Sequence, residues 1–162
     1  MNSPFDGNFQ VTQTQHSSHD GLDLVGLDSN EVHATVTGTV QYAGWENDTN
    51  HSQGFGLYVC IKGSDGYYYY YGHLSEKRVS TGDKVKICDV VGIMGNTGYS
   101  TGAHTHYCIR KQFAKGNELS TPLISGIPNA LGVYNDGHKT MTKNTHRLVL
   151  TLDGVKIYEK EF

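Results

Sequence analysis

The sequence predicts a mostly-β domain, an antiparallel sheet with few or no helices. Three observations carry this. Runs rich in β-branched and aromatic residues recur between clusters of Gly, Asn, Asp and Ser, the pattern of strands and tight turns. No window of a dozen residues shows the 3.6-residue apolar period of an amphipathic helix. The chain holds 20 glycines but only three prolines, and glycine interrupts nearly every helical candidate. At 162 residues it has the length of one ordinary domain.

The elements follow in order. Glu31 to Tyr42 is β-rich with turn chemistry on both sides and reads as one strand. Ser29 to Glu31 opens no more than a short turn. Gly56 to Lys62, a turn at Gly63 to Gly66, and Tyr67 to His73 read as a hairpin. Lys84 to Val91 and Gly92 to Met94 read as two short strands around a bend, and His104 to Lys111 as another strand. Residues 114 to 146 read as a polar, loop-like connection. Arg147 to Leu152 and Val155 to Lys160 flank Asp153-Gly154, the strongest hairpin signal in the chain.

Composition narrows the function classes. Lys and Arg number 13 against 16 Asp and Glu, a formal charge of −3. With no basic excess to neutralise phosphates, a nucleic-acid partner is not expected. No run approaches the roughly 18 apolar residues of a membrane span, so no membrane partner is expected either. Met1 to Gln13 contains no basic and no apolar stretch, which predicts no secretory signal in this chain. Cys60, Cys88 and Cys108 form no Cys-x-x-Cys pair, and each sits in an apolar run as a small hydrophobe would.

The nine histidines are the unusual feature, since imidazole is both a common metal ligand and an acid–base group near neutrality. His19-Asp20-Gly21-Leu22-Asp23 places an imidazole and a carboxylate within reach of one point, with Gly21 allowing the backbone to bend. In His104-Thr105-His106, residues i and i+2 of a strand share a face, so both rings point one way. His73, at the end of the tyrosine run, adds another imidazole. Such a set suits a catalytic zinc centre, with three protein ligands and an open position. Imidazole-rich ligation favours zinc over magnesium.

Four ordered segments then resemble the lysostaphin/LytM-type zinc endopeptidases, which hydrolyse peptides of bacterial peptidoglycan. They are His19-Asp20-Gly21-Leu22-Asp23, Tyr71-Gly72-His73-Leu74, Gly82-Asp83-Lys84-Val85, and the stretch from Gly95 to His106 that ends in Gly102-Ala103-His104-Thr105-His106. The resemblance covers about residues 3 to 113. It implies a lysostaphin-like sheet with a groove over one zinc ion, held by His19, Asp23 and His106. It also implies His104 as general base and His73 as the second catalytic imidazole. The implied domain core is residues 1–113, with 114–162 a C-terminal loop and hairpin extension packed on the same domain. The implied partner is a peptidoglycan stem or cross-bridge peptide, met at the cell wall, outside the cell or in a phage lysin or tail setting. A non-catalytic, peptidoglycan-binding or hydrolase-activating member is the alternative.

The chain departs from the family pattern in places. Ala103 and Thr105 replace the usual proline and leucine, and the glutamate that commonly follows the last histidine is absent, with Tyr107-Cys108 instead. Cys108 shares strand parity with His106, which leaves a thiolate ligand as a minor alternative. Gln13 occupies the region where some members carry a tyrosine near the oxyanion. Of the other histidines, His33 reads as an ordinary strand residue, His51 as a polar-loop residue with a place along the cleft the lesser alternative, and His16 as a decoy or partner of His19. His138 and His146 read as solvated. Tyr67, Tyr69, Tyr71 and His73 alternate onto one strand face, which suggests core or cleft-wall packing, with contact to a peptide or sugar substrate as the alternative.

Overall fold

The runs of β-branched and aromatic residues become twelve strands and one short helix among the described residues. The structure is a computed structural model and describes residues 1–137, 147–152 and 155–161, the last two segments by their backbone. In chain order the elements are β1 (Gly7–Gln13), β2 (Leu22–Gly26), β3 (Glu31–His33), β4 (Gly38–Trp45), β5 (Leu57–Gly63) and β6 (Tyr68–Lys77). There follow β7 (Lys84–Val85), β8 (Val90–Met94), β9 (Thr105–Arg110), α1 (Thr121–Ser125), β10 (Gly132–Asp136), β11 (Arg147–Leu152) and β12 (Val155–Glu161). The main sheet runs β10-β1-β2-β9-β6-β5-β4-β7, with β8 joining β6 to β3. Its pairings are antiparallel, as the composition predicts.

The expected hairpin is β5–β6, closed where Gly63 N–H donates to Tyr67 O at 2.8 Å. The expected strand from Glu31 to Tyr42 is instead two, β3 against β8 and β4 against β5 and β7. The break has a reason at Thr35. Its hydroxyl lies 2.7 Å from the Tyr71 hydroxyl and 2.8 Å from that of Tyr107, and its N–H donates to Tyr71 at 2.9 Å. These bonds satisfy two tyrosine hydroxyls with no solvent access around their rings, at the cost of interrupting the strand.

Within the expected connection 114–146, residues 114–137 are less loop-like than their polarity suggests. Ser120 caps α1 by accepting the Leu123 N–H, Pro122 lies in its first turn, and Gly126 ends it in the left-handed region at φ 73°. β10 then pairs with β1 at the edge of the main sheet. β1 and β2 themselves lie where the sequence pattern suggested no strand. The hairpin at the end of the chain forms as β11–β12. His138, His146 and the Asp153-Gly154 turn fall outside the described residues.

Strand alternation divides the sheet between two jobs. One face sends Phe9, Val11, Leu22, Leu24, Val59, Ile61, Tyr69, Tyr71, Tyr107 and Ile109 into the main core. The other face carries Asp23, Tyr58, Cys60, Tyr70, His106, Cys108 and Arg110. Tyr58, Cys60, Tyr70 and Cys108 pack there as a second, smaller cluster. The core face fixes strand register, because a slip of one residue would exchange the two faces.

Candidate active site and metal centre

The first pair comes from the turn that leads into β2. His19 lies just before the strand and Asp23 on it, with His19 Nε2 3.1 Å from Asp23 Oδ1. His19 Nδ1 donates to Thr14 O at 2.9 Å, which fixes the ring and turns Nε2 inward. Gly21 matters through proximity rather than through an unusual dihedral angle. A Cβ there would stand 2.4 Å from Tyr107 O and 2.7 Å from the Cys108 Cβ. Its absence lets the turn lie against β9.

β9 supplies the third group. Asp23 and His106 are register partners across β2 and β9, and Asp23 Oδ1 lies 2.8 Å from His106 Nδ1. One donor atom from each of His19, Asp23 and His106 therefore lies within 4.8 Å of the others. His104 turns to the same side, as the His-x-His spacing predicts, with Nε2 3.5 Å from Asp23 Oδ2 and Nδ1 donating to Gly102 O at 2.8 Å.

His73 arrives by a different route from the one its parity suggests. Simple alternation would send it into the core with Tyr69 and Tyr71, which are indeed buried there. Instead β6 carries a bulge: Tyr71 pairs with Val59 and Leu74 with Leu57, two residues of β6 standing against one of β5. His73 takes φ 61°, in the left-handed region that a non-glycine residue seldom occupies, and its N–H donates to Phe55 O at 2.7 Å. The ring then faces that of His104 at 4.7 Å, and Nδ1 donates to Thr97 O at 2.7 Å.

The electrostatics follow from this crowding. Burial would raise the pKa of Asp23, but bonds from His106 and His19 hold it far below the usual carboxylate range. Burial opposes charge on His106 and His19, yet their carboxylate partners hold both above the ordinary imidazole value. His73 goes the other way: burial, then repulsion from His104, lowers it to about 4. The centre thus keeps a charged carboxylate between two ligand-type imidazoles, beside a neutral imidazole. Two imidazoles and one carboxylate converging on a point suit zinc, and the His73 and His104 side of that point opens on a groove.

The groove, about 570 Å³, is lined by all five of these residues together with Gln13 and Tyr99. His51 does not line it. That ring stacks on Trp45 at 3.5 Å, while Glu46, Gly54 and Phe55 of the same region reach the groove. His16 is exposed, with its ring 5.7 Å from that of His19, and His33 bonds to Pro4 O at 3.3 Å. Burial pushes the Cys108 thiol up despite the neighbouring His106, which keeps it protonated rather than a thiolate. Sequence reasoning missed Asp20 and Arg110, which stand behind His106. Arg110 carried a legible signal, an arginine at i+4 on an apolar strand, where a buried charge needs a partner.

The chain is similar to several known proteins. The model of peptidase family M23 matches residues 17–120. The glycyl-glycine endopeptidase ALE-1 of Staphylococcus capitis is 35% identical over 130 residues, covering 76% of this chain and 34% of that protein. The peptidoglycan DD-endopeptidase ShyC of Vibrio cholerae is 28% identical over 139 residues, covering 86% of this chain and 30% of that protein. Among solved structures, a catalytic domain of the prophage-encoded M23 protein EnpA from Enterococcus faecalis superposes with TM-score 0.62. It is 29% identical and covers 74% of this chain and 95% of its own. The catalytic domain of lysostaphin from Staphylococcus simulans gives TM-score 0.58 at 28% identity, covering 71% and 86% of the two chains. The chain spans only about a quarter to a third of the first curated relatives it matches. Taken with the antiparallel sheet and the histidine cluster it carries, the match over residues 17–120 means that the chain belongs to peptidase family M23.

Proposed function

We propose that this chain is a zinc-dependent endopeptidase that hydrolyses stem or cross-bridge peptides of bacterial peptidoglycan. The observation that carries the reading is the His19–Asp23–His106 cluster, open on its groove side to the imidazoles of His73 and His104, which stand outside that cluster. His19, Asp23 and His106 would hold the zinc. When bound, zinc supplies Lewis-acid polarisation of the scissile carbonyl and makes water more acidic.

The remaining chemistry belongs to the chain's own side chains. His104 commits its Nδ1 proton to Gly102 O, so Nε2 offers a lone pair to the attacking water and removes its proton. His73 commits Nδ1 to Thr97 O and likewise turns Nε2 to the groove. It rests neutral, and negative charge developing on the carbonyl oxygen raises its proton affinity. The proton that His104 takes from the water, relayed by solvent to His73 Nε2, can then be held against that oxygen and passed to the leaving amine, which leaves both imidazoles neutral. The relatives named above, a glycyl-glycine endopeptidase and a DD-endopeptidase, support a peptidoglycan substrate, and the prophage-encoded EnpA supports a phage lysin or tail setting at the cell wall.

The test uses purified chain and purified sacculi. Release of new amino groups is expected, abolished by a chelator and restored by zinc. His104→Ala should keep its zinc and lose roughly 100-fold or more in turnover, whereas His106→Ala should lose zinc. Undiminished release in excess chelator overturns the metal reading. Zinc retained with no hydrolysis of any sacculus would instead favour the non-catalytic binding role.

A further inference from the structure

His106 is engaged at both ring nitrogens. Nδ1 lies 2.8 Å from Asp23 Oδ1, on the side of His19, and Nε2 lies 2.8 Å from Asp20 Oδ1. A neutral imidazole that offers a lone pair at Nδ1 must carry its proton at Nε2. The partner at Nε2 therefore decides how well His106 can serve at Nδ1. Asp20 is itself fixed. Its Oδ2 accepts from Arg110 Nη2 at 2.7 Å, and Arg110 is 5% exposed. The guanidinium lies 4.7 Å from the Tyr70 ring centre and 5.4 Å from that of Phe55, and its Nε is 3.5 Å from Glu118.

We propose that Asp20 is a positioning residue of the metal centre, fixing the tautomer and ring plane of His106 while Arg110 clamps the carboxylate. This rests on reading His19, Asp23 and His106 as the zinc ligands. Residue 108 shares the His106 face of β9, but there the chain has a cysteine, which brings no carboxylate. The carboxylate comes instead from the turn that carries His19. Asp20, His106 and Cys108 also bring donor atoms within 4.8 Å of one another. The Arg110 guanidinium already supplies the positive charge at Asp20, so this second grouping reads as a support for the first. A carboxylate on the far nitrogen of a ligand histidine raises its basicity and limits its rotation, effects worth about 10–100-fold in metal affinity.

Chelator competition on the parent, Asp20→Asn and Asp20→Ala measures zinc affinity, with circular dichroism of the metal-free forms reporting the fold. The expected result is about 10–100-fold weaker zinc binding in both variants with the fold kept. Variants that bind zinc within twofold of a zinc-binding parent overturn the role of Asp20 and leave the ligand reading standing. A parent that binds no zinc overturns both. Should the variants not fold, NMR of the unaltered zinc-loaded protein decides. A downfield, slowly exchanging His106 Nε2 proton is expected, the signature of a charge-assisted bond that an Asp20–Arg110 pair of purely structural role would not produce. Its absence overturns the inference.

Discussion

At the scale of the residue, His73 shows how burial sets a proton's place. The ring is 6% exposed and faces His104 at 4.7 Å, and burial with that neighbour lowers its pKa from the ordinary 6.5 to about 4. A histidine whose folded pKa is depressed lowers stability as the pH falls. Between about 6.5 and 4 the unfolded chain takes up a proton that folded His73 refuses. From pH 7 to pH 5 this residue should remove roughly 2 kcal/mol from the metal-free protein. His73→Gln should abolish that part of the loss. Urea unfolding of both proteins at the two pH values measures it, and equal pH dependence in parent and variant would contradict the buried, neutral imidazole. The sequence named His73 as a candidate, but its inward pKa shift depends on neighbours distant along the chain.

At the scale of the element, the stretch from Gly95 to Gly102 acts as a clamp on the imidazoles of His73 and His104. Thr97 Oγ1 accepts the Leu57 N–H at 3.1 Å and donates to Leu74 O at 2.7 Å, while Thr97 O holds His73 and Gly102 O holds His104. Gly98 makes this possible. It sits at φ 75°, and a Cβ there would stand 2.4 Å from both Gly54 O and Gly56 N. Gly98→Ala should therefore cost about 2 kcal/mol or more and lower turnover through displacement of Thr97. Gly102→Ala is the control, since its Cβ meets nothing within 4 Å. Thermal denaturation and peptide hydrolysis on the two variants measure the difference, and equal behaviour would deny Gly98 its part in placing Thr97. Motif spacing exposed the glycines. It did not expose the bulge in β6, because strict alternation is the only period a strand sequence displays. Likewise β1, β10 and α1 carry short, weakly patterned signals, and pairing with a neighbour or a cap settled them.

At the scale of the whole molecule, the centre is assembled by strand order. Asp23 and His106 stand 83 residues apart in sequence yet are register partners, because β2 and β9 are neighbours and β6 lies next to β9. A metal held across β2 and β9 binds the folded state and not the unfolded one, so it should stabilise the entire domain. At a free zinc concentration 1,000 times the dissociation constant the gain is about 4 kcal/mol. For a chain of this size that raises the thermal midpoint by roughly 8–16 °C. Calorimetry with zinc and with chelator measures it, and identical midpoints would place no metal between the strands. Among the described residues no helix is long and apolar enough to cross a membrane.

By itself the sequence determined the β class, from side-chain shape and turn chemistry, and proposed His19, Asp23, His73, His104 and His106 from spacing. Those signals are local, since a periodicity of two and a run of five or twelve residues need no knowledge of the rest of the chain. Tertiary structure decided what depends on contact between distant strands. It turned His73 out of the core through a bulge, broke the expected strand at Thr35 to satisfy Tyr71 and Tyr107, and set Asp20 and Arg110 behind His106. The physical reason is that ladder register and buried hydrogen bonds are properties of pairs. No single segment carries the information about its partner.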